Sequence, residues 1–364
     1  MTDDYVSMLR RIPVVPFAVR TAGGLLNHTV PALLREEATE SEIDRARADP
    51  SAYANSSCQG AGADEEDALP LDPVQVEAAG NPVVTGRDVD DFGDVDFVAD
   101  PFMLPGEDRW HLFFEVCNYD RDPDAVIGHA DSSNGIRWEY DQAVLHTGEH
   151  LSFPYVFEWE GTRYMVPEEG GSTGRSIRLY EATNFPTEWE PCAALVSTDH
   201  RTDDTIVFRW QDRWWLVVGD SDLSGFRIYH SDSLRTDGWQ PHANNPIVAD
   251  RPSAFRPGGR PVVRHDRVVV FFQDCKRRYG DKVRAFEITD LGPETYHDRE
   301  LPESPVLEGT GKHVGWNSGR MHHIDPWYAD GEWFCVADGN IRHTGAFTGR
   351  HWALGVYSGG RDRC

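Results

Sequence analysis

The chain has 364 residues, enough for one large domain with a sizeable core, and its 12 Trp, 17 Phe and 12 Tyr supply the bulk such a core needs. Its 61 acidic against 35 basic residues give a formal net charge of -26, which repels phosphate backbones and argues against a nucleic acid partner. The cations are almost all Arg, with Lys only at 276, 282 and 312, and the acids run along the whole chain, a pattern suited to a cell interior of molar salt.

Residues 1–80 read as an N-terminal extension, partly disordered or helical. A short helix is expected between Val30 and Arg47, and Cys58-Gln-Gly-Ala-Gly-Ala-Asp-Glu-Glu reads as a flexible link. The N-terminus lacks a basic segment followed by an apolar run and a cleavage site, and no stretch is long and apolar enough for a membrane span, so a cytoplasmic location is expected. Six cysteines, at 58, 117, 192, 275, 335 and 364, form no Cys-x-x-Cys pair and no zinc spacing with histidine. Buried thiols are expected, with no cofactor and no metal.

From residue 81 to 364 a repeat decides the fold class. A short apolar strand followed by a polar turn recurs as Pro82-Val-Val-Thr-Gly, Ala143-Val-Leu-His-Thr-Gly, Ala194-Leu-Val-Ser-Thr, Pro246-Ile-Val-Ala-Asp and Pro305-Val-Leu-Glu-Gly, about 50 to 60 residues apart. Between the copies come hairpins such as Phe97-Val-Ala-Asp-Pro-Phe-Met-Leu with Trp110-His-Leu-Phe-Phe-Glu. Five similar blocks predict an all-β protein, a five-bladed β-propeller; a β-sandwich accommodates the strands but does not need the repeat. Trp138, Trp189 and Trp239 recur at equivalent places and read as core fillers at the blade edges. Because the first copy precedes the first inner strand, residues 82–86 are expected to supply the outer strand of the last blade, beside Trp352-Ala-Leu-Gly-Val-Tyr, closing the ring without free sheet edges.

In a propeller the residues before the innermost strand and after the second strand line one mouth. Read off each block, these are Asp100 and Glu115; His150, Ser152, Glu168 and Glu169; Asp203, Asp204 and Asp220; Arg256, Gln273 and Asp274; and His313, His322, His323, Asp325 and Asp338. Glycosidic-bond chemistry needs one carboxylic acid to protonate the leaving oxygen and one carboxylate to activate water or attack. Asp100, Glu168 and Asp204 stand out, because their apolar flanks imply burial. His150, Ser152, Arg256, Gln273, Asp274 and His313 are expected to hold the sugar or orient the acids. The competing reading, that these acids merely belong to an acid-rich surface, applies to each residue singly.

Phe97-Val-Ala-Asp-Pro-Phe, His150-Leu-Ser-Phe-Pro-Tyr-Val-Phe, Tyr164-Met-Val-Pro-Glu, Ile177-Arg-Leu-Tyr-Glu-Ala, Asp204-Thr, Arg256-Pro-Gly-Gly and Gln273-Asp274 with Tyr279-Gly280 occur together and in order. They resemble the propeller domain named for the N-terminal region of glucosamine inositolphosphorylceramide transferase, over residues 81–320. The charge pattern itself resembles that of salt-accumulating haloarchaeal proteins, so a haloarchaeal member is expected; the alternative is a mesophile protein with an acidic ligand-binding face. That domain in turn resembles the five-bladed fold of glycoside hydrolase family 43, which implies that Asp100 occupies the position of the catalytic base. Blade order adds Glu168 as acid and Asp204 as modulator. Gly258-Gly259 departs from the Ala-Gly pair usual in the family, and Gly311-Lys312-His313 from Gly-Thr-His. The expected function is therefore a glycosidase-like enzyme acting on a glycan. The alternatives are a non-catalytic glycan-binding or accessory module of a glycosyltransferase system, or a transferase or phosphorylase using the same funnel.

Overall fold

The computed structural model describes residues 39–54, 72–170, 175–264, 266–329, 332–342 and 351–359. Five antiparallel sheets follow one another along the chain as the blades of a β-propeller. From axis to rim, the first blade takes strands Phe97–Pro105, Trp110–Cys117, Ala125–Ser132 and Glu139–Leu145, and the second takes His150–Trp159, Thr162–Gly170, Arg175–Asn184 and Glu188–Thr198. The third takes Asp203–Trp210, Arg213–Asp220, Gly225–Ser231 and Gln240–Pro241. In the fourth the inner strand is split into Arg256–Pro257 and Val262–Val263, ahead of Val268–Asp274, Lys282–Leu291 and Tyr296–Glu300. The fifth runs Ile324–Ala329, Glu332–Asn340 and Trp352–Gly359 and is completed by Pro73–Gln75 from the other end of the chain. Innermost strands are covered on both faces by their neighbours, which is why they read as nearly continuous apolar runs; every residue of Phe97–Pro105 is buried.

The five repeat copies do one job. Each pairs with the third strand of its blade: Ala143 opposite Gly128, Ala194 opposite Arg178, Val248 opposite Phe226, Leu307 opposite Val283, and Val84 opposite Leu354. In the last three blades the rim strand is broken, and the copy is its second piece. Two of these blades also use an asparagine as a substitute strand. The amide of Asn81 donates to the Val356 carbonyl and accepts from the Val356 N–H, and Asn245 treats Ile228 in the same way. Residues 82–86 therefore contribute one bridge to the last blade, while its rim strand proper is Pro73–Gln75, outside the expected 81–364 boundary.

Trp189 and Trp239 are buried and Trp138 is half-buried against the same core, as expected of edge fillers. The indole N–H of Trp138 and of Trp189 donates to the carbonyl three residues earlier, so each ring is pinned by its own turn. The described part of the expected N-terminal helix is Glu40–Ala46, whose Glu42 carboxylate reaches back to the Thr39 N–H. Residues 30–38 and the Cys58 link lie outside the described residues. The segment docks on the first blade, with Ala48 accepting from the Trp110 indole at 2.9 Å and Tyr53 against the same ring. Cys117 and Cys335 are buried, as expected, and Cys192 and Cys275 are half-buried; Cys58 and Cys364 lie outside the described residues.

At the axis the blades are joined by one buried ion pair. Arg260 donates to Asp325 at 2.5 Å, to the Val156 carbonyl at 2.8 Å and to the Met103 carbonyl at 2.9 Å. The second Asp325 oxygen accepts from the Met103 N–H at 2.6 Å. The guanidinium also lies over the Phe102, Tyr155 and Trp327 rings. One side chain thus touches the inner strands of the first, second and fifth blades from a root in the fourth. Its delivery depends on Gly259 at φ 140°, where a Cβ would come within 1.7 Å of the Ile324 carbonyl oxygen. Breaking a buried pair leaves an uncompensated charge costing about 3–5 kcal/mol. Arg260→Met is expected to lower the urea unfolding free energy by that amount, and Asp325→Leu added to it to restore part. A single variant that unfolds at the wild-type midpoint would remove the pair from the account of stability.

Candidate carbohydrate site

The inner strands of the first three blades each carry a bulge at the same height. Pairing slips between Ala99 and Phe102, between Ser152 and Tyr155, and between Asp203 and Thr205. The residues inside the slips, Asp100, Phe153 and Asp204, have φ of 53°, 45° and 47°. A bulge re-aims a side chain, and Asp tolerates the left-handed region better than most residues because its short carboxylate bonds locally. These bulges turn two carboxyl groups from distant stretches of chain toward one another.

Arg256 is the hub on one side. Its Nε donates to Asp204 at 2.7 Å, its Nη1 lies 3.5 Å from Asp203, and its Nη2 lies 3.5 Å from Glu168. The Gln273 amide donates to the same Asp204 oxygen at 2.8 Å, and the Asp204 N–H donates to Glu168 at 2.8 Å. Burial pushes the Asp204 carboxyl well above the usual carboxylate range, with Glu168 and Asp100 adding to the rise against the pull of Arg256. Both donors meet Oδ2, which leaves Oδ1 to carry a proton. Asp203 goes the other way: burial opposes its charge, but Arg256, the Ser221 N–H and Arg201 together hold its carboxyl below the usual range.

A second pair of aspartates faces the first. Asp338 accepts from the N–H groups of His322 and His323 at 3.0 and 3.1 Å, lies 2.6 Å from His322 Nδ1, and accepts the Asp100 N–H at 3.3 Å. Those partners outweigh burial and lower its pKa. Asp100 has no such company: its Oδ1 has no hydrogen-bond partner among the described residues and stands 4.0 and 3.9 Å from the Nδ1 atoms of His322 and His323. Burial first, then the Asp338 and Glu168 charges, push it up to about 8. The site thus holds two aspartate pairs, each with one member raised and one lowered, the arrangement that divides carboxyls into proton donors and acceptors. His322 stacks on Trp352 at 4.0 Å, and burial drives His323 down to about 3. Asp100, His322 and Asp338 bring three ligand atoms within 4.8 Å of one another, which would fit a small cation. Asp338 already accepts from three backbone N–H groups and lies 2.6 Å from His322 Nδ1, and we assign no ion to it.

Asp100, Glu168, Asp204, Arg256 and Gln273 thus come together, with Asp203, His322, His323 and Asp338 beside them. His150 sits at the edge: burial works against its charge, and the hydrogen bond from Nδ1 to Asp124 at 2.7 Å with the nearby Glu115, Asp124 and Glu168 carboxylates lifts it to about 9. Ser152 is buried opposite Glu168 in the strand pairing. Asp274 is not in the cluster. Strand alternation sends it away from Gln273, and its oxygens accept from Arg284 at 2.8 Å and from the Lys276 N–H at 3.0 Å. Nor is His313, exposed in the loop after Gly311, tied to the cluster by any contact among the described residues. Glu169 and Asp220 bind Arg178 and Arg227 within their own blades, and Asp325 belongs to the axial pair. Sequence reasoning passed over Arg260 and Asp124. The Gly-Gly-Arg string was the available signal for the first; nothing local marks the second.

The family described as the N-terminal region of glucosamine inositolphosphorylceramide transferase 1 matches residues 70–340. The chain belongs to this family. Glucosamine inositolphosphorylceramide transferase 1 of Oryza sativa subsp. japonica is 33% identical over 303 residues, covering 78% of this chain and 40% of that protein. The protein of the same name from Arabidopsis thaliana is 34% identical over 276 residues, covering 71% and 34%. The chain therefore spans well under half of these relatives. They are plant proteins and lend no support to the expected haloarchaeal origin. Among solved structures, a Bacteroides ovatus protein described as a glycoside hydrolase aligns with TM-score 0.57 at 12% identity, over 79% of this chain and 95% of that one. The α-L-arabinofuranosidase of Podospora anserina aligns with TM-score 0.54 at 13% identity, over 78% and 96%. At such identities the likeness carries the fold alone. No helix among the described residues is long and apolar enough to cross a membrane.

The raised Asp100 gives a signed stability prediction. Its carboxyl rises from an ordinary value near ~3.9 to about 8, so between those pH values the native state holds a proton that the unfolded chain has released. Stability contributed by this group therefore falls as pH rises through that window, by up to about 1.4 kcal/mol per unit. Asp100→Asn is expected to flatten the decline between pH 5 and 8 in chemical denaturation. Parallel curves for the two proteins would show that the group does not titrate there.

Proposed function

We propose that this propeller acts on a glycosidic bond, with the Asp100 carboxylic acid and the Glu168 carboxylate as the working pair. The observation that supports it most directly is the convergence of carboxyls from four blades, split into raised and lowered members around Arg256 and His322. In the proposed step the Asp100 proton passes to the bridging oxygen as its bond to the anomeric carbon breaks. Glu168 takes a proton from the incoming hydroxyl as that oxygen bonds to the same carbon. Water as the incoming group gives hydrolysis; a sugar or polyol hydroxyl gives transfer. The proton order is the reverse of the sequence expectation, in which Asp100 was the base and Glu168 the acid. The reason is desolvation, which favours the neutral form of Asp100 at rest. Arg256 and Gln273 hold Asp204, and His150 offers a charged donor to sugar hydroxyls.

The relatives' name, a transferase acting with glucosamine and inositolphosphorylceramide, supports sugar conjugates as the ligand class. It also favours a second reading. Since the chain matches about two fifths of those proteins, the propeller is on that reading the glycan-binding partner of chemistry carried elsewhere. Incubation with a library of glycans and glycoconjugates, with products read by mass spectrometry, separates the two. Asp100→Asn and Glu168→Gln are each expected to cut turnover by about 10²-fold or more while sugar binding persists. Binding without any product from the wild-type chain would transfer the conclusion to the second reading, and full turnover by both variants would remove this pair from the chemistry.

A further inference from the structure

The segment Lys276-Arg-Arg-Tyr-Gly-Asp-Lys282 has four cations in seven residues, in a chain with 35 among 364, and it holds two of the chain's three lysines. The third, Lys312, follows Gly311 on the facing loop. Between these stretches lies a cavity of about 260 Å³ lined by Arg277, Arg278, Lys282 and Arg342, with Asp281 and Glu308 as its acids. Four positive groups against two negative ones leave an excess of positive charge within a chain whose net charge is -26.

The arginines are held in place from behind. Asp281, only 5% exposed, accepts from Arg277 at 2.8 and 3.0 Å and from Arg278 at 2.5 Å. Arg278 also donates to the Gly319 carbonyl at 3.1 Å, Arg342 to the Gly311 carbonyl at 2.8 Å, and Lys282 to Glu308 at 2.8 Å. Ser318 Oγ accepts the Arg342 N–H at 2.8 Å, which leaves its own proton to donate. Among the described residues Nε and Nη1 of Arg277, Nη1 of Arg278, and Nε and Nη2 of Arg342 are without a protein partner. A buried carboxylate that orients two guanidiniums, whose remaining donors are unused, matches the way arginine forks recognise phosphate oxygens.

The cavity is coupled to the carboxyl cluster through the turn between them. Gly280 packs so closely on His322 that a Cβ there would lie 2.5 Å from the ring, and the Tyr279 ring meets His322 edge-on at 5.3 Å while lying under Arg256. Arg320 ties the same turn to the fifth blade through the Tyr279 carbonyl. We infer that this cavity is an anion subsite for a phosphate ester borne by the sugar or polyol ligand, set at the rim of the same mouth. The inference rests on the sugar-handling reading for its second half only; the phosphate half stands on the cavity itself.

The test uses calorimetric titration of the full chain with myo-inositol 1-phosphate, with myo-inositol, and with inorganic phosphate, and flotation with vesicles containing phosphatidylinositol. Expected is binding of inositol 1-phosphate that weakens with added NaCl and falls about tenfold or more in Arg277→Gln/Arg342→Gln, whose thermal midpoint stays that of the wild type. Inorganic phosphate should compete. Vesicle binding lost in the same variant would identify a lipid headgroup as the source of the phosphate, and soluble binding alone a free sugar phosphate. Equal affinity in wild type and variant, or no binding by any of the phosphate probes, overturns the subsite. Phosphate binding that Asp100→Asn leaves intact, in a chain that turns over and binds no neutral glycan, would keep the subsite and sink the sugar reading instead.

Discussion

The Arg260–Asp325 pair at the axis is the constraint on which the rest of the molecule depends. Taking both charges out of water is costly, and the cost is met only because every donor and acceptor around them is used: two backbone carbonyls, one backbone N–H and three aromatic faces from neighbouring blades. Such a network has one geometry. It sets the heights of the inner strands of the first and second blades relative to the fourth and fifth, and so the bulges at Asp100 and Phe153, three residues before Met103 and Val156, open on the same end of the ring.

At that end the protein concentrates acids without letting them repel one another. In each of the two pairs, surrounding donors hold one carboxyl below the usual range, and loss of water raises the other above it. Arg256 reaches three of the carboxylates and His322 a fourth. What distinguishes these few groups from the rest of the acids is burial, since an exposed carboxylate titrates close to its ordinary value whatever the composition of the chain. The cations show the same economy of placement. Four of them line the cavity with Asp281 and Glu308, beside the turn that abuts His322, so that an excess of positive charge lies next to the acidic cluster. A ligand that fits both would carry hydroxyls at one end and negative charge at the other.

The glycoside hydrolases that share the fold do so at identities where only the path of the backbone is conserved in common, whereas the plant relatives share the sequence over most of this chain. The propeller is thus a scaffold that gathers side chains from distant blades, and its chemistry depends on which groups stand at the bulges.

Much of the architecture was legible in the order of residues. Five apolar repeat copies could be counted because each must satisfy the same edge of a third strand, and that local demand recurs as the same short string. Asp100, Glu168, Asp204, Arg256 and Gln273 could be picked out because the ends of the first two strands of a blade face one mouth by geometry alone. The alternation at Gln273-Asp274 had no such rule at a strand end, and Asp274 turned out to serve Arg284. Whether Asp100 keeps its proton was beyond the sequence, because desolvation and the charge of Asp338 act across 238 positions of chain. The same holds for Arg260, whose partners lie in three other blades. Periodicity along the chain determines which elements form, since it reports the local environment of each residue; protonation and charge pairing are decided only when folding brings groups from separate blades within a few ångströms.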